Sequence, residues 1–191
     1  MHKNRIIQTS VFLGSVLFIA LGITRPAEAS GPFDGNWIFK YSCNGATGEF
    51  ADRCRRGEGD SFTLVNLTES GKRVCGYHIA TGYGQNKVDE GDLDGGGPSI
   101  FGAVSGDTAT VRFRSAWTGA IGIATITRRK DTIVWHVVRP LTEQSVFPDD
   151  AVLSKYISRR PYRPTACSKG GGGGPLDDFQ FGEFTPLEAE R

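Results

Sequence analysis

Between about Phe33 and Val138 apolar and polar residues change places at almost every step. The clearest run is "ATVRFRSAW", where Ala109, Val111, Phe113, Ser115 and Trp117 alternate with Thr110, Arg112, Arg114 and Ala116. A period of two is what a half-buried strand requires, one face in the core and the other in water. Similar runs are "GNWIFKYSC", "DSFTLVNL", "RVCGYHIAT", "PSIFGAVS", "IGIATITRR" and "TIVWHVV". Turn residues such as "ESGK", "SGDT", "WTGA" and "RKDT" separate several of them. Short links favour antiparallel neighbours. The pattern therefore predicts an all-β fold: one antiparallel meander of seven or eight strands, closed into a small barrel because closure removes exposed edges. After the last run, "FPDDAVLSKY" reads as a short C-terminal helix across one barrel opening, with Pro148 in its first turn and Asp149 and Asp150 at its positive end.

The two ends of the chain read differently. "MHKNR" supplies a basic start, "IIQTSVFLGSVLFIALGI" an apolar stretch, and "AEA" at Ala27 to Ala29 the small residues a signal peptidase reads. Residues 1–29 are expected to be a removable signal peptide that leaves no membrane anchor, residues 30–168 the barrel domain with its helix, and residues 169–191 a disordered tail. That tail follows a basic stretch with Lys155, Arg159, Arg160 and Arg163; it opens on Lys169 and the glycines Gly170 to Gly174, then turns acidic with Asp177, Asp178, Glu183, Glu188 and Glu190.

Cleavage after Ala29 takes Lys3, Arg5 and Arg25 from the 22 basic side chains and Glu28 from the 21 acidic ones, leaving a near-neutral chain. Such a chain lacks the basic field that nucleic-acid binding needs. It keeps four cysteines, Cys43, Cys54, Cys75 and Cys167. An even number in an exported chain reads as two disulfides formed in the periplasm or outside the cell. Three pairings are open, and Cys43 with Cys54 and Cys75 with Cys167 is the preferred one.

Candidate chemistry is sparse. "VCGYHIATG" sets Cys75 and His78 three apart, on opposite faces of a strand. A turn at Ser70 and Gly71 places Leu64 opposite Tyr77 and Phe62 opposite Ile79, which turns Cys75 inward and His78 outward opposite Thr63. A three-residue "RKD" loop and a turn at Gly119 align Arg114, Ala124 and His136 in one outward row, beside a core row of Phe113, Thr125 and Trp135. Arg114 and His136 are thus candidates for an anion or partner contact. Tyr83, Gln85, Asn86 and Lys87 in "GYGQNK" form a candidate binding loop, since long loops on rigid β scaffolds carry binding. The acidic "VDEGDLDGGG" echoes half a calcium loop at Glu90, Asp92 and Asp94, but Phe101 stands where a bidentate Glu belongs, and a solvated turn is the better reading. Asn66-Leu67-Thr68 fits a glycosylation sequon. No nucleophile elbow, metal-ligand spacing or cofactor motif is present, so neither a catalytic residue nor a metal site is assigned and no cofactor is expected.

Two resemblances lie at the start of the domain. Gly35-Asn36-Trp37 resembles the G-x-W opening of lipocalin-like barrels, which implies a Trp packed at the closed end. Tyr41 to Gly45, "YSCNG", is similar to the Y-x-C-x-x-G opening of small periplasmic lysozyme inhibitors, with the glycine one position early. "SGKR" at Ser70 to Arg73 resembles the Ser-containing loop that those inhibitors insert into an enzyme cleft. The expected function is an exported, non-enzymatic binding or inhibitor module that meets a protein partner or small ligand at its barrel-end loops. The alternatives are an enzyme with an unrecognised carboxylate site and an envelope protein without a pocket.

Overall fold

The computed structural model describes residues 31–85, 87–91, 97–142, 145–157 and 162–167. The expected tail and signal peptide lie outside the described residues. The elements in chain order are β1 (Gly35–Lys40), α1 (Gly48–Arg55), β2 (Ser61–Ser70), β3 (Arg73–Thr81), β4 (Val88–Glu90), β5 (Ile100–Ser105), β6 (Thr108–Arg114), β7 (Ile121–Arg129), β8 (Thr132–Arg139) and β9 (Asp150–Lys155). All pairings are antiparallel. The order β2-β1-β9-β8-β7-β6-β5-β3, with β2 pairing β3 again, closes an eight-stranded barrel, and β4 extends the β3 edge beyond β5.

The C-terminal helix expected over 147–156 is not formed; Asp150–Lys155 is the strand that closes the barrel between β8 and β1. Ala151 and Leu153 point inward while Asp150, Val152 and Ser154 face water, a period of two. A segment this short gains little as a helix, whereas as a strand it pairs the open edges of both neighbours. The chain's one helix among the described residues is α1, inside the β1–β2 connection, where Phe50 is its buried residue and Gly57, with φ 75°, follows its last turn.

The interior is filled by rings. Trp37, Phe62, Phe113 and Trp135 are at most 1% exposed. Trp135 contacts Phe62 and Phe113 edge-on at centroid distances of 5.0 and 5.1 Å, and Phe147 closes over Phe113 at 4.8 Å. Small residues make room for them. Gly122 pairs with Phe113, and a Cβ there would lie 2.2 Å from the ring. Alternating large and small inward residues is how a narrow barrel fills its bore.

Register corrects two sequence expectations. In the β2–β3 hairpin a one-residue bulge sits at Asn66 and Leu67, so Val65 pairs with Tyr77 and Thr68 with Cys75. Leu64 therefore faces His78, not Tyr77, and Phe62 faces Ala80. His78 points inward with Val74, Gly76 and Ala80, while Cys75 lies on the outer face, covered by the C-terminal segment. The two side chains do part company, but in the reverse sense. A bulge flips every later side chain to the other face. The asparagine suits it, since its φ of 51° is one that Asn tolerates well.

The β7–β8 hairpin is one residue tighter than expected, with Lys130 and Asp131 alone in the turn, and Arg114 pairs with Ile121 across a six-residue loop. Ala124 is consequently in the core beside Val111, His136 stands opposite Thr125, and the row of Arg114, Ala124 and His136 does not exist. Lys130 holds φ 50°, a left-handed conformation that costs a side-chain-bearing residue about 1 kcal/mol. Lys130→Gly is expected to raise stability by roughly 0.5 kcal/mol, the relief of strain being offset in part by the freer unfolded chain. Urea titration should show a higher midpoint at unchanged slope, and a lower midpoint would reject the strain.

Both disulfides have the preferred pairing: Cys43 with Cys54 and Cys75 with Cys167.

Candidate functional site

Antiparallel strands send alternate connections to opposite ends, and here the two ends differ in kind. One end carries two-residue turns at Gly71–Lys72, Gly106–Asp107 and Lys130–Asp131. The opposite end gathers residues 41–60 with α1, residues 115–120, and the described residues of 82–99, with β4, and of 140–149. Trp37 belongs to the short-turn end, where its Nε1 donates to the Phe33 carbonyl at 2.9 Å and the Lys155 ammonium lies over its ring.

Beneath the long loops lies a buried polar cluster that the sequence did not reveal. His78, Asp89, Ser99 and Ser115 are each at most 1% exposed. Asp89 Oδ1 is 3.1 Å from His78 Nε2, and Ser99 Oγ is 2.8 Å from His78 Nδ1. A carboxylate only accepts, so Nε2 carries a proton; the Ser99 hydroxyl also accepts the His78 backbone N–H at 3.1 Å. Asp89 also accepts from Ser115 Oγ at 2.6 Å and from the Ala116 backbone N–H at 2.8 Å. Burial alone would raise the Asp89 pKa; the bonds from His78, Ser115 and Ala116 outweigh it and hold the carboxyl below its ordinary value. Phe147 packs on the imidazole at 4.5 Å between ring centroids.

The cluster has the side-chain types of a hydrolase triad but not its access. Ser99 is 1% exposed, and its oxygen already takes a backbone N–H. The cluster ties β3, β4, the approach to β5 and the 115–120 loop to one another. A second pin is Asp60, which accepts from Gly84 N at 2.6 Å and pairs with Arg53 of α1 at 3.1 Å, joining the helical loop to the 82–87 turn.

The loops so held present aromatic side chains outward. Tyr83 lies against Tyr41 and Phe50 at 5.4 and 5.0 Å, and is 48% exposed. Burial, then the carboxylates of Asp60 and Asp149, pushes the Tyr41 phenol upward. Val88, the partner of Thr81 in β4, accepts the Trp117 indole N–H at 2.7 Å through its carbonyl; both side chains are nearly half exposed. The 82–87 turn thus carries Tyr83 against the Tyr41 and Phe50 rings.

Of the residues expected to bind, Tyr83 and Gln85 are exposed in that turn, Lys87 is half-buried, and Asn86 lies outside the described residues. Arg114 is on the outer barrel wall beside Ile121. His136 is elsewhere on that wall, exposed, with Nδ1 2.7 Å from Asp150 Oδ1. Arg114 is on β6 and His136 on β8, with β7 between them, and their strand partners, Ile121 and Thr125, differ, so they share no row. Of the suspected calcium loop, Asp92 and Asp94 lie outside the described residues; Asp89, just before Glu90, is the buried partner of His78. Among the described residues no group of three His, Cys, Asp or Glu could hold a metal ion, and no helix is long and apolar enough to cross a membrane. In the sequon, the Asn66 carboxamide accepts Arg163 N and the Thr68 hydroxyl is buried under Tyr162 and Thr165, so both side chains are taken up by the C-terminal segment.

Comparison of the chain with protein-family models, curated proteins and solved structures gives no match.

Proposed function

We propose that this chain, a small disulfide-linked β-barrel, is an exported, non-enzymatic binding module that recognises a protein partner through its long-loop end. The observation that carries this reading is the contrast between a bore filled by Trp37, Phe62, Phe113, Trp135 and Phe147 and an outer end bearing Tyr83, Val88 and Trp117. A filled bore leaves no room for the small-ligand role of a hollow barrel. Exposed aromatic residues on loops pinned from below are what a protein interface uses, because they bury large area with little ordering. Export is supported by the leader at 1–29 and by two disulfides with no free cysteine. The inhibitor version rests on the same loops. The "SGKR" segment is a two-residue turn at the other end, too short to enter a cleft.

The test is capture from the exporting cell with the mature chain, alongside a lysozyme inhibition assay and a variant carrying Tyr83→Ala and Trp117→Ala. Loss of two central aromatic anchors should weaken the captured complex at least tenfold, about 1.4 kcal/mol, with little change in melting temperature. Equal affinity of both forms, or neither partner nor inhibition, rejects the reading.

A further inference from the structure

Four consecutive strands of the barrel contain no carboxylate. β5 to β8 carry Arg112, Arg114, Arg128, Arg129 and Arg139, and neither Asp nor Glu. On the outward face the register sets Cys75 beside Phe101, Phe101 beside Arg112, Arg112 beside Ile123 and Ile123 beside Arg139. Arg114 and Ile121 form the next pair toward the long-loop end. The wall is therefore cationic with aliphatic residues between the charges. Burial, and then the like charge of Arg139, pulls the Arg112 guanidinium below its ordinary value. The Nε of Arg114 is buried and finds no hydrogen-bond partner among the described residues.

The disulfide from Cys75 to Cys167 fixes the chain at the start of that row. With strands about 4.8 Å apart, Arg112 lies about 10 Å and Arg139 about 20 Å further along the wall. Beyond Cys167 the sequence runs through Gly170 to Gly174 into "PLDDFQFGEFTPLEAER", in which Asp177, Asp178, Glu183, Glu188 and Glu190 are interleaved with Phe179, Phe181 and Phe184. A glycine-rich spacer of about ten residues spans about 17 Å root-mean-square, between the roughly 10 Å along the wall to Arg112 and the roughly 20 Å to Arg139. A tether matched to its span gives an effective concentration on the order of millimolar.

We propose that the acidic segment 177–190 is an internal ligand of the arginine wall, its carboxylates pairing with Arg112, Arg114 and Arg139 and its phenylalanines covering Ile121 and Ile123. Arginine takes carboxylates in a two-pronged fashion. Each such exposed pair is weak alone, and the short tether compensates. This assignment does not rest on the partner surface at the long-loop end.

The experiment compares the mature chain with the same chain ended after Lys169, by amide and arginine side-chain NMR. Removing the segment should shift the signals of Arg112, Arg114, Ile121, Ile123 and Arg139, and 0.5 M salt added to the full chain should reproduce the shortened spectrum. A labelled synthetic peptide of residues 175–190 should bind the shortened chain at least tenfold more tightly than the full chain. Arg139→Glu with Arg114→Gln in the shortened chain should weaken the peptide at least fivefold at unchanged melting temperature. Superimposable spectra over β5 to β8, equal peptide affinity for both forms, or shifts confined to the long loops would each overturn the proposal.

Discussion

Shortening Asp89 to alanine is expected to cost the fold roughly 3 kcal/mol, because it strips a buried acceptor from three donors at once. The carboxylate takes His78 Nε2–H, Ser115 Oγ–H and Ala116 N–H. Removing one partner of a sealed charged network costs more than the network contributes, since the orphaned donors have lost water as well. The pH dependence has a definite sign. Asp89 is held below its ordinary value in the folded chain, so its contribution is fully present above the ordinary carboxylate pKa of about 3.9 and is lost as pH falls through the lower folded value. The stability gap between the native chain and Asp89→Ala should thus narrow only below about pH 4. A gap that stays constant well into that range would show that the carboxylate is not the stabilising species. Ser99→Ala serves as the companion. If the cluster is a clasp, it should also lower stability; an enzyme would lose activity with stability intact.

Removing the Cys75–Cys167 bond, by replacing both residues with alanine, should cost about 4–5 kcal/mol. The bond closes a loop of 92 residues, and the chain-entropy relation gives a far larger effect for such a span than the roughly 2.5–3 kcal/mol for Cys43–Cys54 at 11. What it holds is specific. At the β2 bulge the C-terminal segment hydrogen-bonds two carbonyls: Thr165 Oγ1 donates to Asn66 O at 2.8 Å and Tyr162 OH to Leu67 O at 3.3 Å. Thr165 N also donates to Thr68 Oγ1 at 2.8 Å. Hydrogen exchange should show residues 162–167 losing protection first while β5 to β8 keep theirs. Protection retained at 162–167 without the disulfide would mean that these hydrogen bonds suffice alone.

Much of the barrel was legible because it is written locally. All seven runs of alternating residues are strands, and Phe113 and Trp135 are in the core. The loop around Tyr83 lies at the long-loop end of the fold, with Tyr83 exposed. What was not legible was the parity of each strand. Asp89 read as one more charge in an acidic loop, Ser99 as part of the strand run "PSIFGAVS" and His78 as a solvated side chain, since nothing beside them in the chain names their partners. A hint lay in Leu64 and Leu67, three residues apart, which cannot both lie on the inner face without a bulge between them.

The sequence by itself determined the β class, the number of long strands and the cysteine content that fits an oxidising environment, because hydrophobic period and residue type act within a few residues of chain. Only the tertiary structure decided that Asp150–Lys155 closes the barrel as a strand, that His78 turns in and Cys75 out, and that the long loops share one end. Those outcomes depend on which edge a strand meets and on a single extra residue in a bulge or turn. One residue changes the local pattern hardly at all and reverses every side chain that follows it.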